Sequence, residues 1–159
     1  MRLIAMTEQD PEFREVCAAG IAWLRQFYWL TADVKLSANE TDSPWQAVGY
    51  YRGDSLLMVA LVRVVGRQLQ LRSWAAAKPG QGVARPFLWA LELAYPYCTM
   101  ISLWCVAETG NVARFERLGF VSREVEPSRL FVGPKGVVSE VRMERLVSAV
   151  KGERQKDRP

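Results

Sequence analysis

Residues 68–95 read QLQLRSWAAAKPGQGVARPFLWALELAY. Over 68–73, Gln68, Gln70 and Arg72 alternate with Leu69, Leu71 and Ser73, which is the two-residue period of a strand. From Val83 onward, Phe87, Ala90, Leu91 and Ala94 fall on one face of a helix. Between them, Gly80-Gln81-Gly82 suits the turn that joins a strand to a helix better than the inside of either. Pro86 is compatible with a helix that begins near Gly82, because first-turn amides have no acceptor inside the helix. Pro96 ends that helix. Such a junction exposes unpaired amides and the positive end of a helix dipole, and glycines let a phosphate come close. No GK[ST] follows, and the loop follows an antiparallel meander instead of opening a βαβ unit, so ATP and dinucleotide sites are not indicated. Taken alone, the fragment is only suggestive, and a helix-start turn that binds nothing is the favoured reading.

Working outward, the residues before 68 read as a meander. Trp45 to Tyr51 is strand-like, Arg52-Gly53-Asp54-Ser55 is a hairpin signal, and 56–65 is a long aliphatic run. Gly66-Arg67 is a second tight turn. Further back, 2–6 reads as a short strand. Phe13, Val16, Cys17, Ile21, Leu24 and Phe27 recur at steps of three or four, predicting a helix over about 11–30. The segment SANETDSP at 37–44 is turn chemistry. Trp23, Phe27, Tyr28 and Trp29 are an aromatic group on this helix and the loop after it. Three consecutive aromatics cannot all face inward. After 96, MISLWCVA (100–107) reads as a buried strand, 111–118 as a short helix stopped by Gly119, and 120–125 as a strand. Turns follow in PSR and GPKG. A last strand covers 137–147, with Val137, Ser139, Val141 and Met143 turned outward.

Composition excludes several classes. Of the 159 residues, 50% are apolar and 24% charged, which is core-forming material for one globular domain. The chain has no histidine, so a Ser-His-Asp or Cys-His site cannot be built within it. Cys17, Cys98 and Cys105 form no CxxC pair, and no metal site is expected. Cys105, inside an apolar strand, reads as a buried thiol and not as a nucleophile. No run approaches the roughly 18 apolar residues of a membrane span. With no secretory apolar segment, a reduced, cytoplasmic protein is expected. Net charge is +4, and the terminal KGERQKDRP carries four bases against two acids. Half of the excess therefore sits in a solvated tail, which argues against a nucleic-acid surface. The expected division is a single domain over 1–148 and a basic tail over 149–159. The tail is expected to be dispensable for folding and binding.

A second fragment, VAETGNVARFERLGF at 106–120, changes the reading of the first. Together the two resemble the GNAT family of N-acetyltransferases. In that family a strand leads through Q/R-x-x-G-x-G/A into a helix, and a later strand and short helix end in a sequence like F/Y-E-K-L-G-F. Here the first motif falls on 79–84 and the second on Phe115-Glu116-Arg117-Leu118-Gly119-Phe120. The order of elements also matches over residues 1 to about 147. The resemblance implies an α/β (α+β) fold with a mixed, mainly antiparallel sheet of six to seven strands flanked by helices. It implies acetyl transfer from acetyl-CoA to an amine of a small molecule or protein, by direct attack in a ternary complex and without a metal. It implies cofactor contacts at Ser73, Trp74 and Ala75 along the strand, at Gly80, Gln81, Gly82, Val83, Ala84 and Arg85 in the loop, and at Asn111, Arg114 and Phe115.

Three departures stand out. Pro79 occupies the family's Q/R position. Phe115 falls where many members carry a tyrosine that protonates the departing thiolate, and phenylalanine has no proton to give. Glu108 falls where many carry an asparagine, with Asn111 three residues on. The third meander strand holds no acid, so Glu108 is the candidate base, with Tyr50 behind it. An acid at a helix start beside Thr109 is the favoured reading of Glu108 over that of a base. The competing function is a catalytically degenerate CoA-binding or protein-interaction module of the same fold, and a homodimer is left open.

Overall fold

The computed structural model describes residues 1–27, 45–78, 80–133 and 136–147. The chain runs β1 (Arg2–Met6), α1 (Glu12–Phe27), β2 (Gln46–Arg52), β3 (Ser55–Val65), β4 (Gln68–Ala76), α2 (Ala84–Ala94), β5 (Met100–Val106), a 3-10 turn (Ala107–Thr109), α3 (Asn111–Arg117), β6 (Val121–Gly133) and β7 (Gly136–Leu146). The seven strands form one sheet in the order β1-β2-β3-β4-β5-β7-β6. Every pairing is antiparallel except β4 with β5. That exception follows from connectivity, because α2 carries the chain back across the sheet and a crossover returns the next strand parallel. The mixed α+β architecture is the one expected.

Local chemistry sets the boundaries. Gly53 and Gly66, at φ 59° and 60°, make the two hairpin turns. α1 starts at Glu12, after Asp10 Oδ2 accepts the Thr7 amide at 2.8 Å, and Glu12 and Glu15 meet its positive end. The predicted helix segment 28–30, the 37–44 loop, Pro79 and the tail lie outside the described residues. No described helix is long and apolar enough to cross a membrane.

Each face of the sheet has its own core. α2 and α3 cover a cluster that includes Val48, Leu69, Phe87, Leu91, Ile101 and Met143. α1 covers a second, built from Phe13, Val16, Trp45, Ala47, Val59, Leu61 and Ala75. A fully buried Phe87 or Leu91 stabilises by about 1.5–3 kcal/mol. Three sequence expectations change. Val141 and Met143 point into the main core and not outward, because the face of β7 that carries them is the one covered by α2 and α3. The buried side of α2 takes in Leu88 and Glu92, while Ala94 is exposed. The segment holding PSR does not reverse the chain. It is an irregularity within β6, whose register to β7 shifts between Pro127 and Val132.

Candidate active site

β4 and β5 pair only from Gln68↔Met100 to Leu71↔Leu103. Both strands go on: β4 stays on β3 up to Met58↔Ala76, and β5 stays on β7 up to Val106↔Glu140. They therefore diverge, and a wedge opens in the middle of the sheet. Its cause lies in β4. Arg72 pairs with Leu61 and Ala75 with Val59, so Ser73 and Trp74 together face Ala60. The extra residue is a bulge, which bends and twists its strand. Leu69 and Leu71 face α2 before the bulge, and Trp74 and Ala76 face it afterwards. Ala75 belongs to the α1 side. The inner edges of the wedge carry strand backbone with no strand partner, a row of donors and acceptors suited to an extended amide chain.

The wedge opens toward the loop before α2. Gly80 and Gly82 stand at φ 82° and 69° on either side of Gln81. A Cβ at either would meet nothing within 4 Å, so the backbone conformation, and not crowding, requires glycine here. The N-cap residue of α2, Val83, makes no side-chain cap. The amides of Ala84 and Arg85 thus begin the helix uncapped, and Pro86 has none. Arg85 Nη2 donates to the Arg117 carbonyl at 3.1 Å, tying this start to the end of α3.

A row of rings runs through the core on the α2–α3 face of the sheet, with Trp74 and Phe115 beside the wedge. Tyr50 meets Phe87 at 5.6 Å between centroids, Phe87 meets Trp74 at 5.4 Å, Trp74 meets Phe115 at 5.1 Å and Phe115 meets Phe120 at 5.6 Å. The strand and helix on either side of the first motif are therefore joined to Phe115 of the second through Trp74. Asn111 opens α3, and its Oδ1 accepts from Arg114 Nη1 at 3.4 Å.

The two candidate proton carriers are placed differently. Glu108 lies in the 3-10 turn just past the end of β5, and both of its carboxylate oxygens accept from the Ser139 amide, at 3.1 and 3.0 Å. With Thr109 Oγ1 donating to the Val106 carbonyl at 2.6 Å, it fastens the turn to β7. Tyr50 is 4% exposed, one ring removed from Trp74. Burial raises its hydroxyl pKa against the opposing pull of Arg52. Trp23 packs against the α1-side cluster, and Tyr28 and Trp29 lie outside the described residues. The Cys105 thiol is pushed up to about 12 by burial and the Cys17 thiol to about 11, so neither is a thiolate at neutral pH. Sequence reasoning missed the opposite side of the wedge, where Arg72, Trp104 and Glu140 share a face. Only the register brings them together.

No protein-family model matches the sequence, and no curated protein sequence matches it. Solved structures do match. The ribosomal-protein-S18-alanine N-acetyltransferase from Escherichia coli superposes with a TM-score of 0.64 at 17% identity, over 92% of this chain and 94% of its own. The spermidine N-acetyltransferase from Vibrio cholerae, in complex with CoA and spermine, gives 0.63 at 16% identity over 92% and 96%. A Bacillus subtilis acetyltransferase in complex with CoA gives 0.61 at 15% over 91% and 97%. The chain has the fold of the GNAT-type N-acetyltransferases.

Proposed function

We propose that this protein is an acetyl-CoA-dependent N-acetyltransferase acting on an amine of a small molecule or protein in the cytoplasm. The observation that carries the reading is the wedge between β4 and β5, running into a two-glycine loop at an uncapped helix start. The fold is shared with two acetyltransferases that hold CoA. Acetyl-CoA, when bound, supplies an activated acetyl thioester.

The chain's own residues divide the remaining work. The β4 backbone at Ser73, Trp74 and Ala75 pairs with the pantetheine amides as an added strand would. The backbone from Gly80 to Arg85, with Gln81, Gly82, Val83 and Ala84 between, holds the pyrophosphate by amides and helix dipole. Asn111, Arg114 and Phe115 form the α3 wall. Trp74 and Phe115 keep water from that side. No metal is needed, because proximity and amide polarisation of the carbonyl supply the acceleration.

Calorimetry with acetyl-CoA and CoA, followed by thiol release with a panel of amines, tests the proposal. Micromolar binding with turnover is expected, and no binding to either compound would overturn it. Phe115 favours a second reading, since no hydroxyl stands on α3 where it would meet the leaving thiolate. Binding without turnover on any amine would establish a CoA-binding module instead.

A further inference from the structure

The side of the wedge turned away from α2 and α3 carries a buried carboxylate that neither motif reaches. Glu140 stands on β7 directly across from Val106, the last residue of β5, and across from Glu126 of β6. Cross-strand partners share a face, and neighbours along a strand alternate. Glu140 therefore projects with Val106 and Trp104, opposite to Val141 and Met143. Arg72, one residue past the last β4–β5 rung, projects on the same side, with its guanidinium 6.0 Å from the Trp45 ring centroid. Glu140 is 9% exposed, whereas Trp104 beside it is 41% exposed, so this side of β5 is open to an approaching molecule.

We propose that Glu140 is the general base of the acetyl-transfer site, taking the proton of an acceptor amine that enters from the α1 side of the wedge. The inference rests on the acetyltransferase reading above. The ordering of the site supports it. The α2–α3 side is filled by aromatic rings and by the loop assigned to the cofactor, which leaves the other side for the acceptor. A buried carboxylate is costly to keep charged unless its neighbours compensate. Here burial is the largest influence and raises the carboxyl above its ordinary range, against a Ser128 hydroxyl hydrogen bond and the charge of Arg72, with Glu126 adding to the rise. On this face β5 contributes the uncharged Ser102, Trp104 and Val106, and its Cys105 thiol, which feels the Glu140 charge, stays protonated. Arg142, two residues along β7, is held by Glu124 and Glu144. A carboxylate so tuned accepts a proton closer to neutral pH, where a base works best. The step balances: the amine nitrogen bonds to the thioester carbon, the carbon–sulfur bond breaks, the nitrogen's proton passes to the Glu140 carboxylate, and the thiolate takes its proton from solvent.

The test uses the full chain, with spermidine and an alanine-ended hexapeptide as probes. Glu140→Gln is expected to lower kcat by about 10²–10⁴-fold and to erase the acidic limb of the pH–rate profile, with acetyl-CoA affinity unchanged. Glu140→Asp should restore part of the rate. A merely structural role would lower stability and binding without removing the limb. Retention of kcat within about threefold, or of the limb, overturns the proposal. Carboxyl-labelled NMR gives a readout that needs no turnover. The Glu140 resonance, assigned by its loss in Glu140→Gln, should titrate above the ordinary value of 4.5 and move when acetyl-CoA is added. Titration at or below that value overturns the proposal for any acceptor. Failure of the wild type to bind acetyl-CoA would instead sink the acetyltransferase reading, before any variant is made.

Discussion

Phe115 concentrates the catalytic question in one side chain. Its ring stands 5.1 Å from Trp74, at the seam between α3 and the wedge, and it carries no proton. A hydroxyl added there would point from a half-buried ring toward the proposed path of the leaving thiolate. Phe115→Tyr is therefore expected to keep acetyl-CoA affinity and to hold or raise turnover. A large fall in kcat at constant affinity would show that the ring serves packing alone. The thiols give a second residue-scale prediction. Burial raises Cys105 from 9.0 to about 12, so near pH 8 its thiolate fraction is about a thousandfold below that of a free cysteine. Alkylation of the native protein should spare Cys105 and proceed in denaturant. Rapid native labelling there would contradict the burial. Glu140 gives a third, in stability. Its folded pKa lies above its unfolded value of 4.5, so the folded state binds more protons between the two. Its contribution is therefore most favourable below 4.5 and is lost as pH rises through the folded value. Glu140→Gln should gain melting temperature relative to wild type as pH rises from about 4 to 8. A constant difference across that range would mean that the carboxyl is not perturbed.

At the scale of elements, the loop before α2 combines two requirements in two glycines. Gly82 holds φ 69° and leaves open space where a side chain would stand. Gly82→Trp should thus cost only the left-handed strain, roughly 1–2 kcal/mol, and leave a folded protein. Its indole would nevertheless cover the amides assigned to the pyrophosphate. Acetyl-CoA binding by calorimetry should vanish while the circular dichroism spectrum is kept, and an unchanged affinity would remove the loop from the site. This element was legible in the sequence because its chemistry is local: glycines, a following helical period and Pro86 at a tolerated position. The bulge beside it was not. Ser73-Trp74 reads as ordinary strand, and only the rungs Leu61↔Arg72 and Val59↔Ala75 reveal the extra residue. The same limit hid Glu140. In VVSEVRME the period-two pattern gives two faces but not which one meets which helix. The inward and outward sides of Val141 and Met143 were consequently exchanged. α2 shows the related error: Ala94 satisfied the helical period, yet the packing surface turned toward Leu88 and Glu92.

At the scale of the molecule, Glu92 is the residue that ties the two halves of the site together. Its Oε1 lies 3.0 Å from Arg145 Nη1, with both side chains under a tenth exposed. The pair links α2, whose start faces the wedge, to β7, which carries Glu140 on its other face. Gly119 lies against the Arg145 stem, where an added Cβ would stand 3.5 Å from Nε, so the turn after α3 closes over the same contact. Charges buried to this degree gain little over an apolar pair, but removing one partner leaves the other's buried charge less compensated. Glu92→Ala is expected to cost about 3–5 kcal/mol, while the double replacement Glu92→Leu with Arg145→Met should recover most of it. Urea unfolding of the three variants measures this directly. The pair also makes a positional prediction. If it sets the angle of α2 on the sheet, the stable double variant should fold normally yet bind acetyl-CoA more weakly, because the amides at the helix start would no longer meet the mouth of the wedge at a fixed angle. Wild-type affinity in that variant would show that the aromatic row from Tyr50 to Phe120 holds α2 in place without the ion pair.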